Sequence, residues 1–245
     1  MDSLLHLLRW LLTPLSGAVS HDIAPAVYWH ARLMVFAWGV CLPIGALTAR
    51  YFKVTPQQDW PRVLDNKAWW HLHRFLQYSG VIAMTIGVWL VYSSAQHSSL
   101  AKQAHQIMGW IVIGLGWLQV AGGIWRGSKG GPTDAQIRGD HYDMSPWRCA
   151  FERLHKSLGW VAILTAIPVT LLGLLIADAP RWMLMSLLVW WTALALIAIH
   201  WQRKGVCLDT YQAIWGTDPE MPGMQRQPIG LGVQRHQHNP WLSTH

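Results

Sequence analysis

Four histidines stand near the starting ends of four long apolar segments: His30, His73, His105 and His155. Imidazole is a common metal ligand in proteins. Ionisable side chains inside apolar spans are costly and usually serve a function. Packing at an interface is the alternative for any one of these residues taken alone, but four at matching positions favour metal ligation.

Five apolar segments must position these histidines. Each reaches the ~20 residues that a helix needs to cross a bilayer core. Hydrophobic residues make up 52% of the 245 residues and charged residues only 13%, and many of the 18 Trp lie at the edges of apolar segments, as at a membrane–water boundary. We therefore expect an all-α membrane protein with five transmembrane helices, the first four forming an antiparallel four-helix bundle. The segments run from about Val27 to Tyr51, Ala68 to Tyr92, Leu100 to Trp125, Ala150 to Ala177 and Arg181 to Trp201.

Three regions are expected along the chain. Residues 1–26 contain the amphipathic string DSLLHLLRWLL, which is too short to cross and indicates an interfacial helix rather than a secretory signal. Residues 27–202 form the transmembrane domain. Residues 203–245 are a tail rich in Gly, Pro, Gln and His, for which we expect irregular structure laid against this or a partner subunit.

Basic residues predict the orientation. Side A is defined as the face where the first span starts, and side B as the opposite face. Of the 19 Lys and Arg residues, only Arg9, Arg32, Lys102 and Arg181 fall on side A. Because basic loops stay in the cytoplasm, side B is predicted to be cytoplasmic, with the N-terminus outside and the C-terminus inside. This asymmetry explains the net charge of +7 without nucleic acid.

Alternation of the spans pairs the histidines. In an antiparallel bundle the first helix lies diagonal to the third, so His30 and His105 meet near side A. By the same rule His73 and His155 meet near side B. Each diagonal then has the geometry for bis-histidine haem ligation, with the two irons ~20–25 Å apart along the membrane normal. Small residues such as Gly109 and Gly159 share faces with the histidines and leave space for a flat macrocycle, although they also allow close helix packing. His71 faces away from His73, among bulky residues, and we prefer His73.

Basic residues next to these positions are candidates for pairing with haem propionates. Anchoring in the cytoplasmic interface is an equal alternative for those on side B. The candidates are Arg32 and Lys102 on side A, and Arg50, Lys53, Arg74, Arg153 and Lys156 on side B.

Four strings carry a family resemblance: HARLMVFAWGVCLPIGALTARYFK from His30, HRFLQYSG from His73, HQIMGW from His105 and HKSLGW from His155. In order and context they resemble the four ligand helices of the cytochrome b561 family, particularly its bacterial and DOMON-linked members. The resemblance implies two b-type haems, with His30 paired to His105 and His73 to His155. It also implies transmembrane electron transfer in a bacterial inner membrane, with a quinone or a soluble donor and separate membrane or periplasmic redox subunits as partners. The ascorbate-associated motifs and a DOMON domain are not evident.

Two other functions stay open on the sequence alone. One is a membrane anchor or assembly subunit of a larger respiratory or photosynthetic complex, with haem in a structural role. The other is a haem-free channel, which would need more polar groups at mid-depth than the spans contain. Elsewhere, Asp134, Asp140, His141 and Asp143 form either a metal site or, preferably, a hydrogen-bonded loop, and His200 either lines a quinone pocket or is interfacial. No C-x-x-C-H motif occurs, which excludes c-type haem attachment.

Overall fold

The computed structural model describes residues 2–18, 23–92, 99–127, 130–132 and 138–242. It confirms the all-α class and contains five helices that are long and apolar enough to cross a membrane. Residues 93–98, which contain the predicted loop between the second and third spans, lie outside the described part, as does Asp134. In chain order the helices are α1 (Asp2–Leu12), α2 (Pro25–Tyr51), α3 (Ala68–Tyr92), α4 (Leu100–Ile124), α5 (Asp140–Asp143), α6 (Pro146–Ile176), α7 (Arg181–Arg203) and α8 (Thr210–Trp215).

Capping residues, rather than hydropathy, set where two of the long helices begin. The Ser145 side chain accepts a hydrogen bond from the backbone N–H of Arg148, and Pro146 occupies the first turn of α6. Helix α6 therefore begins at Pro146, one turn before the predicted Ala150, because polar and basic residues are tolerated in its first turn. Ser99 caps α4 in the same way.

Helices α2, α3, α4 and α6 form an antiparallel bundle in which α2 packs against α3, and α4 packs against α6. Histidine contacts tie the two ends of the α2–α3 pair. His30 on α2 contacts Gly87 near the end of α3, and His73 at the start of α3 contacts Gly45 near the end of α2. The bundle core is apolar, because its buried residues are Trp38, Met84 and Val112 together with small aliphatic side chains.

One stretch of α2 is wound as a π-helix, over Val35–Cys41. Such a turn contains an extra residue. Pro43 lies four residues after Gly39 and has no N–H to donate to the Gly39 carbonyl, and the indole N–H of Trp190 on α7 donates to this carbonyl at 2.7 Å. Helix α7 therefore lies against α2, and a second contact, from the Tyr51 hydroxyl to the Ala198 carbonyl, holds its other end.

The C-terminal tail is folded against this chain, on side B. Its buried residues include Val206, Leu208, Tyr211 and Ile214, and they pack on the 52–67 connection and on residues 142–149. Asn239 donates to the carbonyls of Thr55 and Gln58, which fastens the end of the tail. We call residues 52–67, 138–145 and 204–242 the cap. The tail thus lies on its own subunit, as one of the two sequence alternatives predicted, but much of it is buried in apolar clusters.

Helix α1 lies at the opposite end of the molecule and contacts α7. Most of its leucines are exposed. The residues that follow it pair with the turn between α6 and α7, where the Leu15 N–H donates to the Ala179 carbonyl and the Ser16 hydroxyl donates to Asp178. An amphipathic helix with an uncovered apolar face at a bundle end is the geometry expected of an interfacial helix, which stays a prediction.

Candidate functional site

The four sequence-predicted histidines come together in two diagonal pairs. The ring centroids of His30 and His105 are 6.3 Å apart, with the ring planes at 81°. Those of His73 and His155 are 6.4 Å apart, also at 81°. The two pairs lie at opposite ends of the bundle. Because His105 and Gln119 are both on α4 and Gln119 touches His155, a rise of ~1.5 Å per residue puts the pairs about 21 Å apart.

Both separations match the space that one metal ion needs between two imidazoles. A bond from a metal to an imidazole nitrogen is about 2 Å long, so two opposed nitrogens would be about 4 Å apart. Each ring centre lies roughly 1 Å behind its nitrogen, which brings the expected centroid distance to about 6 Å. The observed 6.3 and 6.4 Å therefore fit an iron held between each pair.

Three of the four rings are oriented by backbone carbonyl groups. The Nδ1 atoms of His30, His73 and His105 lie 2.9, 2.9 and 3.1 Å from the carbonyl oxygens of Gly87, Gly45 and Val169. A carbonyl oxygen can only accept, so Nδ1 carries the proton in each ring. The lone pair is then on Nε2, the atom available to a metal, and this outer hydrogen bond is the usual partner of a ligating histidine.

The fourth ring has a side chain as its partner. The carboxamide of Gln119 lies 2.7 Å from Nδ1 of His155 and, at its other end, 3.2 Å from the backbone nitrogen of Gly159. The sequence analysis did not single out Gln119 as a site residue. Its position 14 residues after His105 on α4 was the available signal, because that spacing brings it to the depth of the other pair.

A glycine gives the His105 ring room. A Cβ atom added to Gly173 would lie 2.9 Å from Cε1 of His105. His71, in contrast, is exposed on the outer surface of α3. The preference for His73 over His71 therefore agrees with which of the two rings faces the bundle.

A cavity of about 1180 Å³ surrounds the side-B pair and extends to the cap. It exceeds the usual 300–1,000 Å³ of a small-molecule site, so it has room for a large planar group. The basic candidates on side B all line this cavity: Arg50, Lys53, Arg74, Arg153 and Lys156. The structure therefore brings the side-B cations and the His73–His155 pair into one space.

The cap provides partners for several of these cations. Lys156 donates to the Glu152 carboxylate and to the Ile229 carbonyl, both at 2.8 Å. Arg50 donates to the side chain of Gln202 and to the Leu231 carbonyl. Lys53 is buried, and burial lowers its pKa to about 8. These side chains are thus already held at the mouth of the cavity.

On side A and on the outer surface the other basic candidates make different contacts. Arg32 stacks on the ring of Tyr28, with its guanidinium carbon 3.4 Å from the ring centroid. Lys102 lies in the first turn of α4, where its backbone N–H is capped by Ser99. Arg74 lies over the rings of Trp70 and Tyr78. None of these contacts would prevent the long side chains from reaching an anionic group.

A buried ionic cluster that the sequence did not reveal lies between the cavity and the cap. Glu152 accepts from Arg148 at 3.2 Å and lies 3.5 Å from Nε2 of His141. His141 receives a hydrogen bond from the Trp215 indole, and burial lowers its pKa. Arg148 lines the cavity, and its buried Nη1 has no hydrogen-bond partner among the described residues. This guanidinium is therefore an additional candidate for contact with a carboxylate.

The remaining sequence candidates lie elsewhere. His200 is exposed on α7. His141 is buried among Glu152, Trp215 and Tyr211, an arrangement that organises the loop. Within the described ranges, no group of three or more His, Cys, Asp or Glu side chains could hold a metal ion.

Comparisons with known proteins point to one family. A cytochrome b561, DM13 and DOMON domain-containing protein of Arabidopsis thaliana is 26% identical over 167 residues, which cover 68% of this chain and 16% of the relative. A cytochrome b561 and DOMON domain-containing protein of the same plant is 27% identical over 139 residues, or 56% of this chain and 25% of the relative. Human ferric-chelate reductase 1 is 29% identical over 145 residues, or 59% and 22%.

The chain thus spans a quarter or less of the length of these relatives. No family model matches it, and no solved structure matches it significantly. The two plant relatives are both named as cytochrome b561 domain-containing proteins. At modest identity, the chain therefore has homologues among cytochrome b561 domain-containing proteins and a ferric-chelate reductase.

Proposed function

We propose that the protein transfers electrons across a membrane through two b-type haems, one held by His30 and His105 and the other by His73 and His155. The observation that carries this proposal is the pair of imidazole separations, 6.3 and 6.4 Å, at opposite ends of an apolar bundle. The similarity to cytochrome b561 proteins supports haem as the cofactor and electron transfer as the general activity.

The chain's own contribution is to orient the ligands. Carbonyl groups of the neighbouring helix fix the proton of His30, His73 and His105 on Nδ1, which keeps Nε2 free and sets the plane of each ring. Haem iron held in this way supplies a one-electron carrier whose potential depends on axial ligation, burial and nearby charge. On side B, Arg148 and the neighbouring cations face the cavity and would contact the propionates.

The apolar core separates the two pairs. Trp38, Met84 and Val112 are buried between them, together with small side chains of α6. A charged species would have to leave water to cross this region, which is costly in a medium of low polarity. The bundle therefore keeps ions and water out of the space through which an electron must pass.

For the partners, we propose a quinone/quinol pool or a soluble donor at one face and a redox partner at the other. A quinol gives up two electrons and two protons, so two one-electron steps are needed to oxidise it. The name of the human relative supports an acceptor that takes one electron at a time. We further propose that the N-terminus lies outside, because side B has most of the Lys and Arg residues. The bacterial inner membrane is proposed on the family resemblance of the four histidine strings alone.

Electron transfer across vesicles containing the full chain tests this function. Ferricyanide is enclosed in proteoliposomes, and a membrane-impermeant reductant is added outside, so that each electron that crosses converts one ferricyanide to ferrocyanide. We expect ferricyanide to be consumed with wild-type protein and at the background rate with His105→Ala. Consumption by wild type no faster than by protein-free vesicles would overturn the proposal and favour an anchor role.

A further inference from the structure

We infer that Gln119 is a positioning residue for His155, and that it sets the potential of the side-B haem alone. The inference rests on the proposed function. Its basis is an asymmetry among the four histidines, because three rings have backbone carbonyls at Nδ1 and only His155 has a side chain there.

Gln119 is held where it can reach only this ring. It lies on α4, partly buried, facing α6. One end of its carboxamide is 2.7 Å from Nδ1 and 3.1 Å from the carbonyl oxygen of His155, and the other end is 3.2 Å from the Gly159 nitrogen. Because both ends of the amide contact α6, its position is fixed. Only the rotation that exchanges its oxygen and its nitrogen stays free.

The rotation of that terminal group determines the tautomer of His155. With its nitrogen toward the ring, the amide satisfies both of its ends and makes Nδ1 an acceptor, which places the ring proton on Nε2. Nε2 cannot bind iron while it is protonated. Iron ligation therefore requires the proton on Nδ1, and the amide must then turn its oxygen toward the ring to accept that proton. In that orientation the amide gives up its hydrogen bonds to the His155 carbonyl and from the Gly159 N–H.

This requirement differs from that of the other three ligands. A carbonyl oxygen is always an acceptor, so His30, His73 and His105 are already in the metal-binding tautomer. For His155, ligation and the orientation of Gln119 are coupled. A hydrogen bond accepted from Nδ1–H makes the opposite nitrogen a stronger donor to the metal, which favours ferric over ferrous iron.

The substitution of Gln119 should therefore change one haem potential in a direction set by the replacement. Gln119→Leu removes the acceptor, and the midpoint potential of the side-B haem is expected to rise. Gln119→Glu leaves a group that accepts more strongly, and the same potential is expected to fall. A tenfold change in the preference for ferric iron corresponds to about 59 mV for a one-electron couple.

The experiment is a potentiometric titration of the full-length protein, with haem content measured in parallel. The side-B haem is identified as the one lost in His73→Ala. Gln103→Leu is the matched control, because Gln103 is a glutamine of the same helix that is exposed and does not line the cavity. We expect opposite shifts of one potential in the two Gln119 variants, and no shift of the side-A potential or in Gln103→Leu.

Several results would overturn the inference. Two haems with both potentials unchanged in Gln119→Leu would leave the proposed function standing and remove the role of Gln119. Shifts of the same sign in Gln119→Leu and Gln119→Glu would indicate a packing effect. If Gln119→Leu loses the side-B haem, Gln119→Glu decides, since retention at a lower potential supports the inference and loss contradicts it. A wild-type protein without haem would refute the proposed function itself.

Discussion

Gly173 on α6 packs against the His105 ring of the candidate site, and adding one methyl group there tests how tightly that ring is held. A Cβ atom at this position would lie 2.9 Å from Cε1 of His105. Non-bonded carbon atoms pack at about 3.5–4.0 Å, so the ring must move by roughly 0.6–1 Å in Gly173→Ala. Such a movement would strain the 3.1 Å hydrogen bond from His105 Nδ1 to Val169 and alter the 6.3 Å gap to His30.

Overpacking of this kind typically costs about 1–3 kcal/mol. If this cost destabilises the haem-bound state more than the haem-free state, the affinity of the His30–His105 site for haem should fall roughly 10- to 100-fold. The assay is haem titration into haem-depleted protein in detergent, followed by absorption in the Soret region. Binding at the His73–His155 site, about 21 Å away, should be unaffected.

The matched control is Gly114→Ala on α4. Gly114 is exposed, and a Cβ atom there has no neighbour within 4 Å. Both replacements add the same methyl group and remove the ~1 kcal/mol cost of glycine in a helix. If Gly173→Ala bound two haems as tightly as Gly114→Ala, the position assigned to the His105 ring would be wrong.

Three further predictions concern the surroundings of the site. Burial lowers the pKa of Lys53 from 10.5 to about 8, so between these pH values the unfolded protein binds more protons than the folded protein. As the pH increases from 8 to 10.5, the free energy of unfolding of the wild type should therefore rise by up to about 3 kcal/mol relative to that of Lys53→Met. The same pH dependence of stability in both proteins would contradict this. Glu152→Gln leaves Arg148 and Lys156 without their buried carboxylate and should destabilise the fold by about 3 kcal/mol in thermal denaturation, whereas an unchanged midpoint would show that the cluster contributes little. Gly109 shares a face with His105, and a Cβ atom there would have no neighbour within 4 Å, so Gly109→Leu should fold normally. The variant should bind less haem, because the leucine would occupy the space beside the ring. Two fully bound haems in this variant would argue against a macrocycle on this face.

Hydropathy and helix rise were enough to predict the spans and which histidines meet. Depth in a bilayer depends on position along the helix, and alternation of antiparallel helices fixes which end each residue occupies. His30 and His105 therefore had to lie at one end, and His73 and His155 at the other. Side-chain bulk also separated His73 from His71, because only one of two residues two positions apart can face the bundle.

Side-chain contacts that depend on how each helix is rotated about its own axis could not be predicted from hydropathy and helix rise. The partnership of Gln119 with His155 requires α4 and α6 to be aligned to within a fraction of a turn, and the π-helical stretch of α2 shifts the register of every residue after Val35. The extent of burial in the cap was not predicted, for a different reason. Its buried residues, such as Val206 and Tyr211, are spaced irregularly among glycines and prolines, so no periodic pattern marks them.

The sequence did not show which of the side-B basic residues are buried. Arg148 was counted among the cations that orient the protein, but it lies buried beside Glu152 and faces the cavity. Its acidic partner lies one helical turn away, and that i, i+4 spacing was visible in the sequence. Only the structure shows that the pair is enclosed by His141 and the cap.

The most direct test of the central claim is the haem content of purified protein, measured by the pyridine haemochrome method in wild type and in two neighbouring variants. Two b-type haems per chain are expected in wild type, one in His73→Ala and two in His71→Ala, because His73 faces His155 whereas His71 lies on the outer surface. Equal haem content in the two variants, or no haem in wild type, would contradict the account.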